Sequence, residues 1–245
     1  PLRIVAVRRG SGFADSGTIL LDYSAFRRQK IDSLTAMTIA DSVAKIWLGN
    51  AKLVRGEGFG VVREGLSRFI ATQFIEKYFG KAAADAERFR QLAAYATVAR
   101  NDLPFNSAAP LDSTYYPSVT YKGAMIWRVI ANQIGQENFF NSIKPMDSYN
   151  LQGIKTALGS PYEVLDFPIS NVTDTNLLAG LPQVIGGETK IALRNTGSVP
   201  VNINVIAITE KGEKLSAKAT ILPKSFGEVS FKTTSKLIRT EIDPE

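Results

Sequence analysis

Two stretches decide how this chain reads: Asp41-Ser42-Val43-Ala44-Lys45-Ile46-Trp47-Leu48-Gly49-Asn50 and, a little further on, Arg63-Glu64-Gly65-Leu66-Ser67. Around the first, Leu34, Met37, Ala44 and Leu48 recur at helical spacing, with Asp32 or Ser33 as cap and Gly49-Asn50 as stop. Asp41 falls midway between Leu34 and Leu48, which puts a carboxylate in the middle of the apolar stripe, and Lys45 follows one turn later on its edge. Burying either charge alone is costly, whereas Asp at i with Lys at i+4 is the favourable helical order. The spacing therefore leaves two readings, a buried ion pair or a helix face that opens onto solvent at mid-length. Glu64 in the second stretch has Arg68 as an ordinary i+4 partner.

Outward from these stretches, Leu2 to Val7 and Thr18 to Leu21 read as short strands separated by glycine turns. A loop with Gly56, Gly58 and Gly60 leads into a second helix, about Val61 to Tyr78, and a third runs from about Asp85 to Arg100. Pro104, Pro110 and Pro117 mark a loop, after which helices are predicted near Tyr121 to Gln133, Glu137 to Ile143 and Leu151 to Leu158. Beyond Val184 the alternation is that of strands: Lys190 to Arg194, Val201 to Thr209, Lys214 to Leu222, Phe226 to Lys232 and Leu237 to Ile242. The expectation is an α+β chain: a mostly helical first domain, 1–184, followed by a small all-β sandwich of immunoglobulin-like type, 185–245.

Composition narrows the chemistry. The 245 residues include no Cys and no His, which excludes disulfides, thiolate nucleophiles, imidazole ligands and Ser-His or Cys-His pairs. The net charge of +6 is dispersed, +2 of it in residues 185–245 and +4 before them, so no nucleic-acid arm is expected. No run approaches a membrane span, and the start at Pro1 shows neither an initiator Met nor a signal peptide, as in a piece of a longer protein.

Other motifs weigh less. Glu57 and Glu64 lie two helical turns apart, about 10 Å, near the separation of an inverting glycosidase pair, but Glu57 sits among glycines ahead of the helix. Gly65-Leu66-Ser67-Arg68-Phe69 lacks the second glycine of a nucleophile elbow, and the Gly56-x-Gly58-x-Gly60 loop follows a helix and lacks the final spacing of a dinucleotide fingerprint. Trp47, Trp127, Met125 and Phe69 sit on apolar helix faces as core residues, and Asn171-Val172-Thr173 is a sequon that matters only in a glycosylating host.

Together, the quoted stretches resemble the active-site region of the gluzincin aminopeptidases, the aminopeptidase N and leukotriene hydrolase family. There, HExxH is followed by a W-F-G-N-like segment and then by a third zinc ligand in an N-E-G-F/L-A sequence. Here Trp47-Leu48-Gly49-Asn50 matches the segment, and Glu64 stands 19 positions after Lys45, where the third ligand belongs. Tyr121-Lys122-Gly123-Ala124 and Gly135-Gln136-Glu137-Asn138-Phe139 resemble the family's Y-x-K-G-A helix and following L-G-x-E-x-F. Leu2-Arg3-Ile4-Val5-Ala6-Val7 resembles the strand before the substrate-binding G-x-M-E-N loop.

The resemblance implies a thermolysin-like peptidase domain over about 1–184, with its chemistry removed. At the first His stands Asp41, at the second Lys45, and at the general-base Glu stands Ser42. The transition-state Tyr falls on Thr120, with Tyr121 one residue late, and Ala14 takes the place of the Glu that grips a substrate's amino group. Of the set only Glu64 survives. The expectation is a non-catalytic pseudo-peptidase without zinc, in which Asp41, Lys45 and Glu64 form a metal-free ionic staple and a cleft of Ala14, Asp41, Lys45, Glu64 and Tyr121 binds a peptide or protein or serves a structural role. The family's upstream β domain is absent, so a missing N-terminal domain is a further expected partner. The alternatives are an active metallo-aminopeptidase with a non-standard site, and a carboxylate-based hydrolase. An appended β-sandwich and a cysteine-free chain point to a periplasmic or extracellular setting.

Overall fold

The helix that carries Asp41, α1 (Ser33–Ile46), begins where the Asp32 side chain accepts the Thr35 backbone N–H at 2.8 Å. In this computed structural model, which describes residues 2–9, 11–51, 53–159, 169 and 176–242, the chain divides into two compact units, Pro1–Val172 and Thr173–Glu245. The buried side of α1 starts one turn later than the spacing predicts: Leu34 is exposed in the first turn, and the core begins at Ala36 and Met37. From there Asp41, Ala44, Lys45 and Leu48 are all buried, so the helix face does not open onto solvent at mid-length.

A three-stranded sheet precedes α1. β1 (Arg3–Val7) runs parallel to β3 (Thr18–Asp22), and β2 (Ala14–Asp15) pairs antiparallel on the other side of β3. Ile19 and Leu21 alternate into the core, as a half-buried strand requires. After α1 the chain passes through a π turn, Trp47–Ala51, into β4 (Leu53–Val54), which pairs parallel with β5 (Ser148–Tyr149).

A second π turn, Val61–Leu66, feeds α2 (Ser67–Phe79). Gly80, at φ +87°, then reverses the chain, and α3 (Lys81–Ala96) starts four residues before the predicted Asp85. The proline-rich loop ends earlier than its prolines suggest, in a helical turn α4 (Tyr115–Pro117) that runs through a π turn, Ser118–Lys122, into α5 (Gly123–Ile134). Pro117 is tolerated because it sits in the first turn, where no intrahelical N–H bond is lost. At the crossing of the Val61–Leu66 turn with α5, a Cβ added to Gly65 would meet the Val119 carbonyl oxygen at 2.7 Å and Gly123 Cα at 3.0 Å, so the two backbones touch. Trp127 lies fully buried beneath this crossing and donates to the Val61 carbonyl at 2.8 Å, with Leu48, Leu66, Phe69 and Phe139 in the same core. Two shorter helices, α6 (Gln136–Ile143) and α7 (Leu151–Leu158), follow among the described residues.

The second unit holds seven strands among the described residues: β6 (Leu177–Ala179), β7 (Gln183–Ile185), β8 (Glu188–Asn195), β9 (Val201–Thr209), β10 (Lys214–Ile221), β11 (Phe226–Phe231) and β12 (Leu237–Ile242). They form two antiparallel sheets, β11-β8-β6 with β7 also on β8, and β10-β9-β12. Alternate residues of both sheets, among them Ile191, Leu193, Val205, Ala207, Val229 and Phe231, share one core. Because β6 and β7 are zipped onto β8, strand structure begins upstream of residue 185. The sequon Asn171-Val172-Thr173 lies outside the described residues. Among the described residues no helix is long and apolar enough to cross a membrane.

Candidate functional site

Asp41 and Lys45 project from the same side of α1, and the turn before α2 brings Glu64 against them. The Lys45 ammonium lies 3.0 Å from Asp41 Oδ2 and 2.8 Å from Glu64 Oε2, and the three side chains are 8, 6 and 14% exposed. One cation thus bridges two helical segments through two carboxylates. Burial by itself would push the Lys45 ammonium towards neutrality; Asp41 and Glu64 outweigh it and hold the pKa above the ordinary lysine value.

The cluster continues beyond the three residues that the sequence singles out. Arg68 on α2 does not serve as the i+4 partner of Glu64. Its guanidinium lies 3.5 Å from Asp41 Oδ2 and 3.6 Å from Glu87 Oε1, and Glu87 also accepts from Arg90 and Gln91 on α3. Glu64 has Arg63 as its second cation, at 3.7 Å. Tyr116 lies beside Lys45, its hydroxyl 3.5 Å from the ammonium, and its ring meets Tyr121 edge-on at 6.2 Å. Tyr121 in turn covers the Arg68 guanidinium at 5.6 Å, and burial raises its phenol pKa.

Glu87 and Tyr116 are absent from the sequence reading. The signal for Glu87 was available: Ala84, Glu87 and Gln91 follow i, i+3, i+7 spacing, so a charge again interrupts a buried stripe. Tyr116 carried no such signal, because its turn is preceded by a loop rich in proline.

Other predicted positions contribute differently. Ser42 and Thr120 are fully buried, and among the described residues neither hydroxyl has a hydrogen-bond partner. Neither side chain carries a charge or a strong base. Ala14 is buried on β2, whose neighbour β3 carries the inward Ile19 with which it pairs, and it brings only a methyl group. Tyr121 stands at the rim of the cluster through Arg68 and Tyr116, whereas Lys122 points into a separate buried network. There Asp102 accepts from Lys122, from Ser118 and from the Tyr95 hydroxyl, and the ammonium lies over the Phe105 ring at 5.1 Å.

As a donor set, Asp41, Lys45 and Glu64 do not suit a divalent metal. Two carboxylates are present, but the position between them is filled by an ammonium that stays protonated, and a cation cannot ligate a cation. Among the described residues no three His, Cys, Asp or Glu side chains gather as a ligand group. What the arrangement can do is electrostatic: it ties α1 to the segment before α2 through Lys45 and to α3 through Arg68 and Glu87.

No protein-family model matches the chain, and no curated protein matches it in sequence. Solved structures do. One is an M1 zinc metallopeptidase mutant from Deinococcus radiodurans bound to a Tyr-Ser-Ala substrate; another is a two-domain M1 zinc metallopeptidase mutant bound to L-tryptophan. Each is 15% identical with a TM-score of 0.51, and covers 71% of this chain and 40% of its own. The chain therefore spans less than half the length of these enzymes, and the likeness is one of fold: over 71% of its length this α+β chain is similar in fold to a part of these two M1 zinc metallopeptidase structures.

Proposed function

We propose that the first unit is a peptidase-like domain that has exchanged its zinc chemistry for an ionic staple, and that it acts by binding a peptide or protein, or as a structural part of a longer chain, rather than by hydrolysis. The observation that carries this reading is Lys45: at the place that the family resemblance gives to a zinc-binding His stands an ammonium 3.0 and 2.8 Å from two carboxylates. Hydrolysis by that family's route needs a metal to lower the pKa of water and a carboxylate to take its proton. Ser42, at the base position, is a neutral hydroxyl without a hydrogen-bond partner among the described residues, and Thr120, at the position of the transition-state Tyr, is a buried threonine. The second unit, with β6, β7, β8 and β11 in one sheet and β9, β10 and β12 in the other, is read as an immunoglobulin-like module that accompanies the first.

The test is zinc stoichiometry after equilibration with excess metal and removal of the free ion, on the native chain and on an Asp41→His, Ser42→Glu, Lys45→His variant. The native chain is expected to retain no zinc and the variant to gain one tightly held ion. One zinc per native chain would overturn the staple and reopen the search for a peptidase substrate.

A further inference from the structure

Two tyrosines of one segment close over the charge cluster. Tyr116 lies in α4 and Tyr121 in the π turn that follows, and their rings meet edge-on at 6.2 Å. Against them lie the two buried cations of the staple. The Tyr116 hydroxyl is 3.5 Å from the Lys45 ammonium, and the Tyr121 ring faces the Arg68 guanidinium at 5.6 Å. A ring pair in that place keeps water from ion pairs whose strength depends on a dry setting.

The two rings are held unequally. Tyr121 stands between Thr120 and Lys122, both buried, and Ser118 and Lys122 both donate to the buried Asp102 carboxylate, so its stretch of backbone is fixed by the core. Tyr116 belongs to the outer margin of the same segment and is 44% exposed. Among the described residues its hydroxyl has the Lys45 ammonium as hydrogen-bond partner, at a distance where such a bond is weak. Upstream of it the chain runs out to Leu111, which is 99% exposed. A half-exposed side chain with one weak latch changes rotamer easily, and the helices beneath need not move for it to do so. With Tyr116 turned away, the Lys45 ammonium faces solvent, with Asp41 and Glu64 beside it as a charged floor open to an entering peptide.

We propose that Tyr116 is a lid over Lys45 and Glu64, closing against the fixed Tyr121, and that binding in the cleft of the first unit waits on its opening. The proposal rests on the reading of that unit as a binding domain, and adds to it how access is controlled.

The test is heteronuclear NMR of the Lys45 ammonium in the full chain near neutral pH, with the signal assigned by its loss in Lys45→Met. An ammonium open to water exchanges its protons too fast to be seen, whereas a covered one gives a signal whose exchange rate reports how often the cover opens. A Lys45 signal is expected from the native chain. Tyr116→Ala leaves every ion-paired side chain of the cluster in place, and should speed the exchange at least about tenfold or remove the signal. Tyr116→Phe, which keeps the ring, and Tyr121→Ala, which uncovers Arg68 instead, should each speed it less. Equal exchange in native and Tyr116→Ala chains, both folded by tryptophan fluorescence, would overturn the lid. So would a native Lys45 ammonium that exchanges as fast as that of the exposed Lys30, a result that stands even if Tyr116→Ala misfolds. The zinc measurement separates the two readings. One zinc per native chain overturns the binding domain whatever Tyr116 does, while a zinc-free chain with an unprotected Lys45 overturns the lid alone.

Discussion

Replacing Lys45 by Met keeps the volume of the side chain and removes the charge between two buried carboxylates. At an effective dielectric constant of about 20, unit charges 2.8 to 3.0 Å apart attract by about 5 to 6 kcal/mol in each pair, before the desolvation of the ions is subtracted. The net loss when one partner of a buried pair is removed is about 3 to 5 kcal/mol. Here Arg68 at 3.5 Å from Asp41 and Arg63 at 3.7 Å from Glu64 remain as longer-range partners, which favours the low end, about 3 kcal/mol.

Trp47 and Trp127 are the only tryptophans and both belong to the first unit, so urea unfolding followed by their fluorescence reports on that unit alone. With a slope of about 2 kcal/mol/M, the midpoint should fall by about 1.5 M. The pH dependence has a fixed sign. The folded-state pKa of Lys45 is raised, so its contribution is fully present below the ordinary lysine value and is lost only as pH climbs above it, towards the folded value. The gap between native and Lys45→Met should therefore stay constant from neutral pH to about 9.5 and close above about 10.5. A loss under about 1 kcal/mol, the worth of a surface pair, would refute the reasoning.

Three other perturbations test the rest of the frame. Asp102→Ala strands the Lys122 ammonium, 6% exposed, and should destabilise the first unit by about 3 to 5 kcal/mol in the same fluorescence assay. Gly65→Ala forces a Cβ to within 2.7 Å of the Val119 carbonyl oxygen, where the obstacle is backbone on both sides, and should lower stability by about 1 to 3 kcal/mol by urea titration. In the second unit Asn195 is fully buried, donating to the Val199 and Ile221 carbonyls at 2.7 and 3.2 Å and accepting from the Gly197 N–H at 2.8 Å. Asn195→Ala leaves these groups unpaired, and amide exchange of β9 and β10 should accelerate by an amount corresponding to about 2 kcal/mol.

The helical core of the site was legible because a charge inside an apolar repeat has few physical explanations. Asp41 breaks the stripe of α1, Lys45 stands one turn on, and pairing is what makes their burial tolerable. The meeting of Lys45 with Glu64 was not legible from periodicity, since it depends on how two helices approach; it followed from the family spacing. Arg68 shows the opposite failure. Local spacing offers it to Glu64, but the π turn that ends at Leu66 carries an extra residue per turn and rotates Glu64 out of the ordinary i, i+4 relation, leaving Arg68 for Asp41 and Glu87. The same widening hides the start of α5, where Tyr115–Pro117 and the following π turn lie beyond prolines that read as loop.

On the proposed reading, this arrangement would let the helical frame hold together without a metal. A zinc ion fixes three side chains by short bonds and so ties together the helices that carry them. Lys45 makes the same connection between α1 and the turn that holds Glu64, and Arg68 with Glu87 extends it to α3, a link for which the three ligand positions alone give no counterpart. Such a network is weaker per contact than a metal and is spread over more residues, so its members should be strongly non-additive. In a Lys45→Met, Glu64→Gln double variant, the second change should cost much less than it does alone, because the carboxylate it neutralises has already lost its main partner. Additive losses would mean that Lys45 and Glu64 are held in place by separate parts of the core, and the staple would then be a description of proximity rather than of what holds α1 to α2.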